Sequence, residues 1–380
     1  MKNIVIIPFN IPWNWSTDYG NQTAFELAKN GNIVICYMLS ETYSIKEYLQ
    51  KRLFPKFIGV YSKNIYLFYP TLVIPFRRFK IMQALNEKLT IFLFKSFIKY
   101  IELNKRFQNR ILWIFDADLV FITDLFKKNW KVIYDCVDLY TLENRENIKD
   151  PETNERRICK VADLVVANSN VLVKHLSKYT KIVRLVPQGF RLSDFSQKNW
   201  VRNLHLNSPV IGYVGGLNSR LDIDLLNSLA ERNPKWNFVI WGPLLEKEKI
   251  DLNTWSKMQK LISLPNVTTG KSKDKKEIPG IISQFDIGMI PYDISQDFNK
   301  YCYPMKLFEY FYVGKPVVSV DIIELKRFPK FVKIANSTND WEKVISALLS
   351  KPWPKKIKEA QIKLAKENSW ENKIAQVLSY

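Results

Sequence analysis

Residues 301–320, YCYPMKLFEYFYVGKPVVSV, carry the signals that decide the fold. Pro304 to Phe311 opens with a proline suited to a first helical turn and continues with apolar residues at helical spacing, which predicts a helix. Gly314 supplies its stop, and Lys315 to Val320 is a short β-branched run that predicts a buried strand. Lys306 and Glu309 lie three apart and share one helical face near the N-terminus. A lysine there attracts a phosphate, and a carboxylate one turn on accepts hydrogen bonds from the vicinal hydroxyls of a sugar, so the pair describes a nucleotide pocket. The plain alternative is a surface ion pair worth ~0.2–0.5 kcal/mol.

The run resembles the donor-site motif of group 1 GT-B glycosyltransferases, P-x-K-x-x-E-Y-x-x-x-G-K-P-V-V. The resemblance implies that Lys306 meets the diphosphate of the donor and Glu309 its ribose. It departs at Tyr301, where many retaining members carry another glutamate, and so leaves the stereochemical class open.

At 380 residues the chain divides naturally into two domains of roughly 180 residues. With 14% aromatic and 25% charged residues and no low-complexity stretch, it reads as globular. Its 57 Lys and Arg against 37 Asp and Glu give a formal charge of +20, which implies an anionic partner or surface without naming it. Cys36, Cys136, Cys159 and Cys302 lack CxxC spacing and are expected as buried, reduced thiols. Met1 to Pro8 does not read as a signal peptide, and the apolar run Leu89 to Leu103 is too short, and too interrupted by Lys95 and Lys99, to span a bilayer. A cytoplasmic protein, at or near the membrane face, is expected.

The N-terminus reads as strand (3–8), helix (24–30) and strand (33–39), a βαβ unit whose carboxyl-end loops carry a site. The first loop lacks GxGxxG, which disfavours a dinucleotide-binding dehydrogenase, and offers Trp13 and Trp15 as platforms for an acceptor sugar or as core residues. From Arg77 to Arg110 a long helix is expected, with nine basic residues against Glu87 and Glu102, a pattern that suits an anionic lipid surface or a solvated face. Two later strands end in acids. Asp116-Ala117-Asp118 looks like the metal-binding DxD of the GT-A fold, a motif short enough to arise by chance. Tyr134-Asp135-Cys136-Val137-Asp138 is similar to a Y-D-x-x-D segment that faces the acceptor in related transferases, which makes Asp138 the candidate base; a helix cap is the alternative.

Further resemblances lie in Ala162 to Ser169, Val186 to Phe190, the strand 210–214 running into Gly215-Gly216, and Leu264 to Gly270. The expected architecture is α/β, GT-B, two Rossmann-like domains with a cleft between them: residues 1–191 for the acceptor, 209–353 for a nucleotide sugar, and 354–380 a helix returning to the first domain. The resemblance implies a nucleotide-sugar donor, bound through Gly215, Gly216, Lys300, Lys306 and Glu309, and a saccharide or lipid-linked acceptor near Trp13 and Trp15. It implies no metal and no further cofactor. Rival readings are a GT-B-shaped nucleotide-sugar epimerase and a basic nucleic-acid-binding or DNA-modifying protein, the latter disfavoured because no reader motif is recognised.

Overall fold

The structure is a computed structural model that describes residues 2–13, 19–39, 43–44, 57–72, 79–126, 129–139, 151–195, 209–244, 251–271 and 275–380. Trp15, Arg77 and Arg78 lie outside the described residues, as does 196–208, the greater part of the expected linker. Ten strands precede that linker: β1 (Ile4–Phe9), β2 (Ile33–Met38), β3 (Tyr43–Ser44), β4 (Ile58–Ser62), β5 (Ile65–Phe68), β6 (Thr71–Leu72), β7 (Arg110–Ile114), β8 (Lys131–Cys136), β9 (Leu164–Ala167) and β10 (Val183–Leu185). Among the described residues, eight of them form one sheet in the order β10-β9-β8-β7-β1-β2-β5-β4, parallel except for the β4–β5 hairpin. Every residue of β1 and β2 is buried, as continuous apolar strands require when helices cover both faces of a sheet.

After the linker come β11 (Val210–Val214), β12 (Asn237–Trp241), β13 (Val267–Gly270), β14 (Ile287–Ile290), β15 (Val317–Ser319) and β16 (Val332–Ile334). They form a second parallel sheet in the order β13-β12-β11-β14-β15-β16. In each sheet the chain starts in the middle, winds out to one side and then crosses to the other. The reversal leaves a crevice at the carboxyl ends of β1 and β7 in the first domain and of β11 and β14 in the second.

Several elements differ from the sequence expectation. The first helix spans Tyr19–Lys29, five residues earlier than expected, because its opening turns are polar yet buried and give no apolar period. The long helix is Lys80–Asn104, its end marked by the extended backbone of Lys105. The decisive helix is Lys306–Tyr312. Pro304 and Met305 form the turn before it, with the Leu307 amide donating to the Pro304 carbonyl at 3.2 Å, and Gly314, at φ 71°, follows its end.

The expected C-terminal helix is two, Lys355–Glu367 and Trp370–Ser379, broken where Ser369 caps the second. The break is held across the domains: the Phe190 amide donates to Asn368 O (3.1 Å) and the Trp370 amide to Phe190 O (3.0 Å). The first helix of the pair lies on the second domain, where Gln361 Nε2 donates to Lys315 O at 2.8 Å. The second lies on the first domain, with Ile374 and Val377 among the residues that cover β1 and β2. Its Lys373 forms a fully buried ion pair with Asp135 (3.1 Å), and the same carboxylate accepts from the Trp113 indole at 3.2 Å.

Removing one partner of a buried pair strands the other charge, at a cost of about 3–5 kcal/mol. Lys373→Ala is therefore expected to lower stability by about that amount in urea unfolding followed by far-ultraviolet circular dichroism. The double change Asp135→Leu with Lys373→Met should recover most of it.

Candidate functional site

Tyr310, on the core side of the Lys306–Tyr312 helix, shapes the second crevice. β11 and β14 are in register at Ile211↔Ile287 and Gly212↔Gly288. The next ladder bond of a parallel pair would run from the Val214 amide to the Met289 carbonyl. The Tyr310 hydroxyl takes both groups instead, accepting from Val214 N at 3.1 Å and donating to Met289 O at 3.3 Å. Gly288 makes room for the ring, since a Cβ there would lie 2.8 Å from it. The hydroxyl thus separates the two strands at the point where the crevice begins.

Two cations line that opening. The Lys306 ammonium is hydrogen-bonded to the Tyr292 hydroxyl and sits 4.8 Å from the Tyr292 ring centroid and 5.0 Å from that of Tyr213. Burial favours loss of its proton, but the two phenols outweigh that and raise its pKa, so it remains an ammonium. Arg220, on the loop after β11, packs its guanidinium 4.9 Å from the Tyr292 ring and 4.8 Å from that of Phe298. Its Nε donates to Asn299 Oδ1 at 2.9 Å, and buried Asn299 in turn donates to the carbonyls of Arg220 and Asp293. Among the described residues neither cation has a carboxylate within ion-pair distance.

The first domain faces this pair. Burial works against the Arg220 charge, but Tyr292 and Cys302 raise its pKa, and Asp138, half-buried just past β8, adds to the rise, so its charge reaches across to the second domain. Burial, then the Asp138 carboxylate, push the Tyr19 phenol well above the ordinary tyrosine range, while Arg220 pulls it back. Burial pushes the Cys302 thiol up to about 12, with Arg220 opposing. A carboxylate and a neutral phenol from one domain, and two cations from the other, therefore share one crevice.

The structure sets Asp138 near Arg220 and Cys302, and distributes the other candidates as follows. Lys306 does not pair with Glu309, so the surface ion-pair reading of that motif fails. Glu309 is half-buried, and its charge is felt by the Tyr310 phenol behind it. Gly215 and Gly216 turn the chain after β11, with the Gly215 amide held by Trp241 O at 3.0 Å. The Lys300 ammonium stands 5.8 Å from the Tyr301 ring centroid, and the charge felt at Lys306 is that of Arg220. Trp13 is a core residue, 5% exposed and packed edge-on against Phe9, Phe25 and Tyr61, which leaves no open face for a sugar.

The Asp116-Ala117-Asp118 motif is used within the first domain. Asp116 accepts from Asn10 Nδ2 and from the Asp118 amide, tying the loops after β1 and β7 together, and Asp118 accepts from Asn154 at 2.8 Å. No group of three His, Cys, Asp or Glu able to hold a metal occurs among the described residues. Sequence reasoning missed Arg220, Asn299, Tyr19 and Tyr310. Only Tyr310 left a signal, as the tyrosine that follows Glu309 in the motif.

A family model described as Glycosyl transferase-like matches residues 222–379. The chain is 26% identical over 291 residues to a Bacillus subtilis protein that carries the name teichuronic acid biosynthesis glycosyltransferase TuaH, covering 71% of each chain. Sucrose-phosphate synthase from Thermosynechococcus elongatus superposes with a TM-score of 0.72 at 16% identity, over 100% of this chain and 98% of that one. Anabaena HepE, solved in complex with UDP, gives 0.68 at 14% identity over 100% of both chains. The fold is GT-B.

Replacing the Tyr310 hydroxyl by hydrogen leaves a buried amide and a buried carbonyl to find each other or go unpaired. Tyr310→Phe is expected to lower stability by about 1–3 kcal/mol, read as a fall in the urea midpoint with an unchanged slope. Hydrogen exchange at the Val214 amide should rise with it.

Proposed function

We propose that this chain is a group 1 GT-B glycosyltransferase that transfers a hexosyl group from a nucleoside-diphosphate sugar, UDP-linked in our reading, to a saccharide or lipid-linked acceptor in cell-surface polysaccharide biosynthesis, a reading that the fold, the family model and the relative support. The observation that carries the proposal is the pair Arg220 and Lys306, two recessed cations without a carboxylate partner among the described residues, set at the switch point of the second sheet and opposite Asp138. A diphosphate is the ligand whose charge such a pair matches, and as it departs it gathers negative charge that the pair stabilises. The UDP held by the HepE structure and the teichuronic acid named for the relative support a nucleotide donor and a polymer product.

In this reading Asn299 and the Tyr292 and Phe298 rings fix the Arg220 guanidinium before the donor arrives, so little order has to be gained on binding. Gly215 and Gly216 let the backbone approach the diphosphate, and Glu309 accepts from the ribose hydroxyls. Asp138 takes the proton of the attacking acceptor hydroxyl, which reaches the crevice from the first domain, and an inverting displacement fits a base placed opposite the leaving group best. The reaction would take place in the cytoplasm, at the inner face of the membrane.

An epimerase would share the donor pocket but would not require a base on the acceptor side. The test is a panel of nucleoside-diphosphate sugars read by thermal unfolding, where a ligand at about 100 times its Kd adds roughly 2.7 kcal/mol. If no member raises Tm, the donor-site reading is lost. Glu309→Ala, Arg220→Gln and Lys306→Gln should each weaken the preferred donor by ~10-fold or more in calorimetry, since each removes a hydrogen bond to or from a charged group. Asp138→Asn should instead lower kcat by ~10²–10⁴-fold at nearly unchanged donor affinity. Normal turnover in that variant would leave Asp138 a structural residue.

A further inference from the structure

The Lys80–Asn104 helix packs on the first sheet with the wrong residues turned outward for a water-facing helix. Its buried side carries Asn86 and Thr90 beside Phe94, Ile98 and Ile101. Phe94 stacks on Tyr37 at 4.5 Å and meets Phe68 at 4.7 Å. On the outer side, Ile81 is 71% exposed, Phe92 65% and Leu103 76%, and Leu85 is exposed as well.

These exposed apolar residues are not scattered. Positions 81, 85, 88, 92, 95, 99 and 103 recur every three or four residues and so form one stripe along the helix, over ~33 Å at 1.5 Å per residue. The remaining three members of the stripe are Lys88, Lys95 and Lys99, all exposed, and none has an ion-pair partner among the described residues. The acids of this helix stand off the stripe: Glu87 lies toward another side, and Glu102 pairs with Arg110 at 2.5 Å.

We propose that this stripe is a membrane-docking surface, on which the Lys80–Asn104 helix lies flat in the interface of an anionic phospholipid bilayer. Apolar side chains enter between the headgroups, and the lysines interleaved with them meet lipid phosphates. A second copy of the chain fits worse: pairing two such stripes about a twofold axis sets Lys88, Lys95 and Lys99 against their own counterparts with no acid to offset them. Spanning is not involved, since no described helix is long and apolar enough to cross a membrane. The surface is separate from the crevice and stands whether or not the donor reading does.

The test is co-sedimentation of the full chain with vesicles of equal parts phosphatidylglycerol and phosphatidylcholine, compared with phosphatidylcholine alone, at low salt. Binding is expected only to the anionic vesicles and should weaken as salt is raised. The triple change Lys88→Gln, Lys95→Gln, Lys99→Gln should reduce binding ~100-fold, at about fivefold per lysine. Ile81→Gln with Phe92→Gln and Leu103→Gln should reduce it comparably while leaving circular dichroism and Tm near wild type, because these side chains already face water. Absence of binding to anionic vesicles, or binding that both triple variants retain in full, overturns the proposal. So does a dimer in sedimentation equilibrium that dissociates on Phe92→Gln.

Discussion

The second domain depends on one hydroxyl inserted into a β-ladder. By taking the Val214 amide and the Met289 carbonyl, Tyr310 ends the pairing of β11 with β14 without leaving either backbone group unpaired. A crevice formed merely by stopping a ladder would expose two unsatisfied groups, each costing about 1–3 kcal/mol. Here both remain satisfied and the opening is stable in the absence of ligand. The constraint reaches back into the sequence: Gly288 has to lack a side chain for the ring to lie across β14. The helix that carries Tyr310 also carries Lys306, so the residue that opens the crevice sets the position of a cation that lines it.

Arg220 and Lys306 are like charges in a recessed place, and their mutual repulsion opposes folding. Four ring contacts between 4.8 and 5.0 Å, each worth about 0.5–2 kcal/mol, offset part of it, and Asn299 fixes the guanidinium. What the rings cannot do is neutralise the charge. An anion arriving between the two cations recovers interaction that the apo fold leaves unrealised, and groups arranged at such a cost to stability mark a binding site more often than a structural one.

Lys306, Glu309 and Asp138 stood out in the sequence as candidates through a motif or a strand-end position. Arg220 was not, since Asn218-Ser219-Arg220-Leu221 has neither period nor motif and its role comes from Asn299, 79 residues away in the chain. Loop position alone left Trp13 open as a sugar platform or a core residue, and the packing of Phe9, Phe25 and Tyr61 around it, which decides for the core, depends on contacts no local pattern encodes. Asn266, part of a stretch that resembled the family, serves the fold: its Nδ2 donates to the carbonyls of Ala230, Asn233 and Trp236. The parallel sheets themselves were readable from buried β-branched runs, whereas helix ends with polar buried turns, as at Tyr19, were not.

The contacts that hold the closing helix and those between the domains are of unequal strength, and the difference bears on how the crevice admits a ligand. Lys373 and Asp135 form a fully buried pair that fastens the closing helix to the first domain, and separating them would strand two charges at about 3–5 kcal/mol. Between the domains, buried Glu324 of the second domain accepts from the Val171 amide of the first at 3.2 Å while keeping Arg327, from its own domain, at 3.2 Å. Parting there costs one hydrogen bond to a charged group, about 1.5–3 kcal/mol, and leaves the carboxylate still paired. Parting the domains is therefore cheap where Glu324 meets Val171, and the Lys373–Asp135 pair, which lies within the first domain and its closing helix, keeps that helix on the first domain when they part.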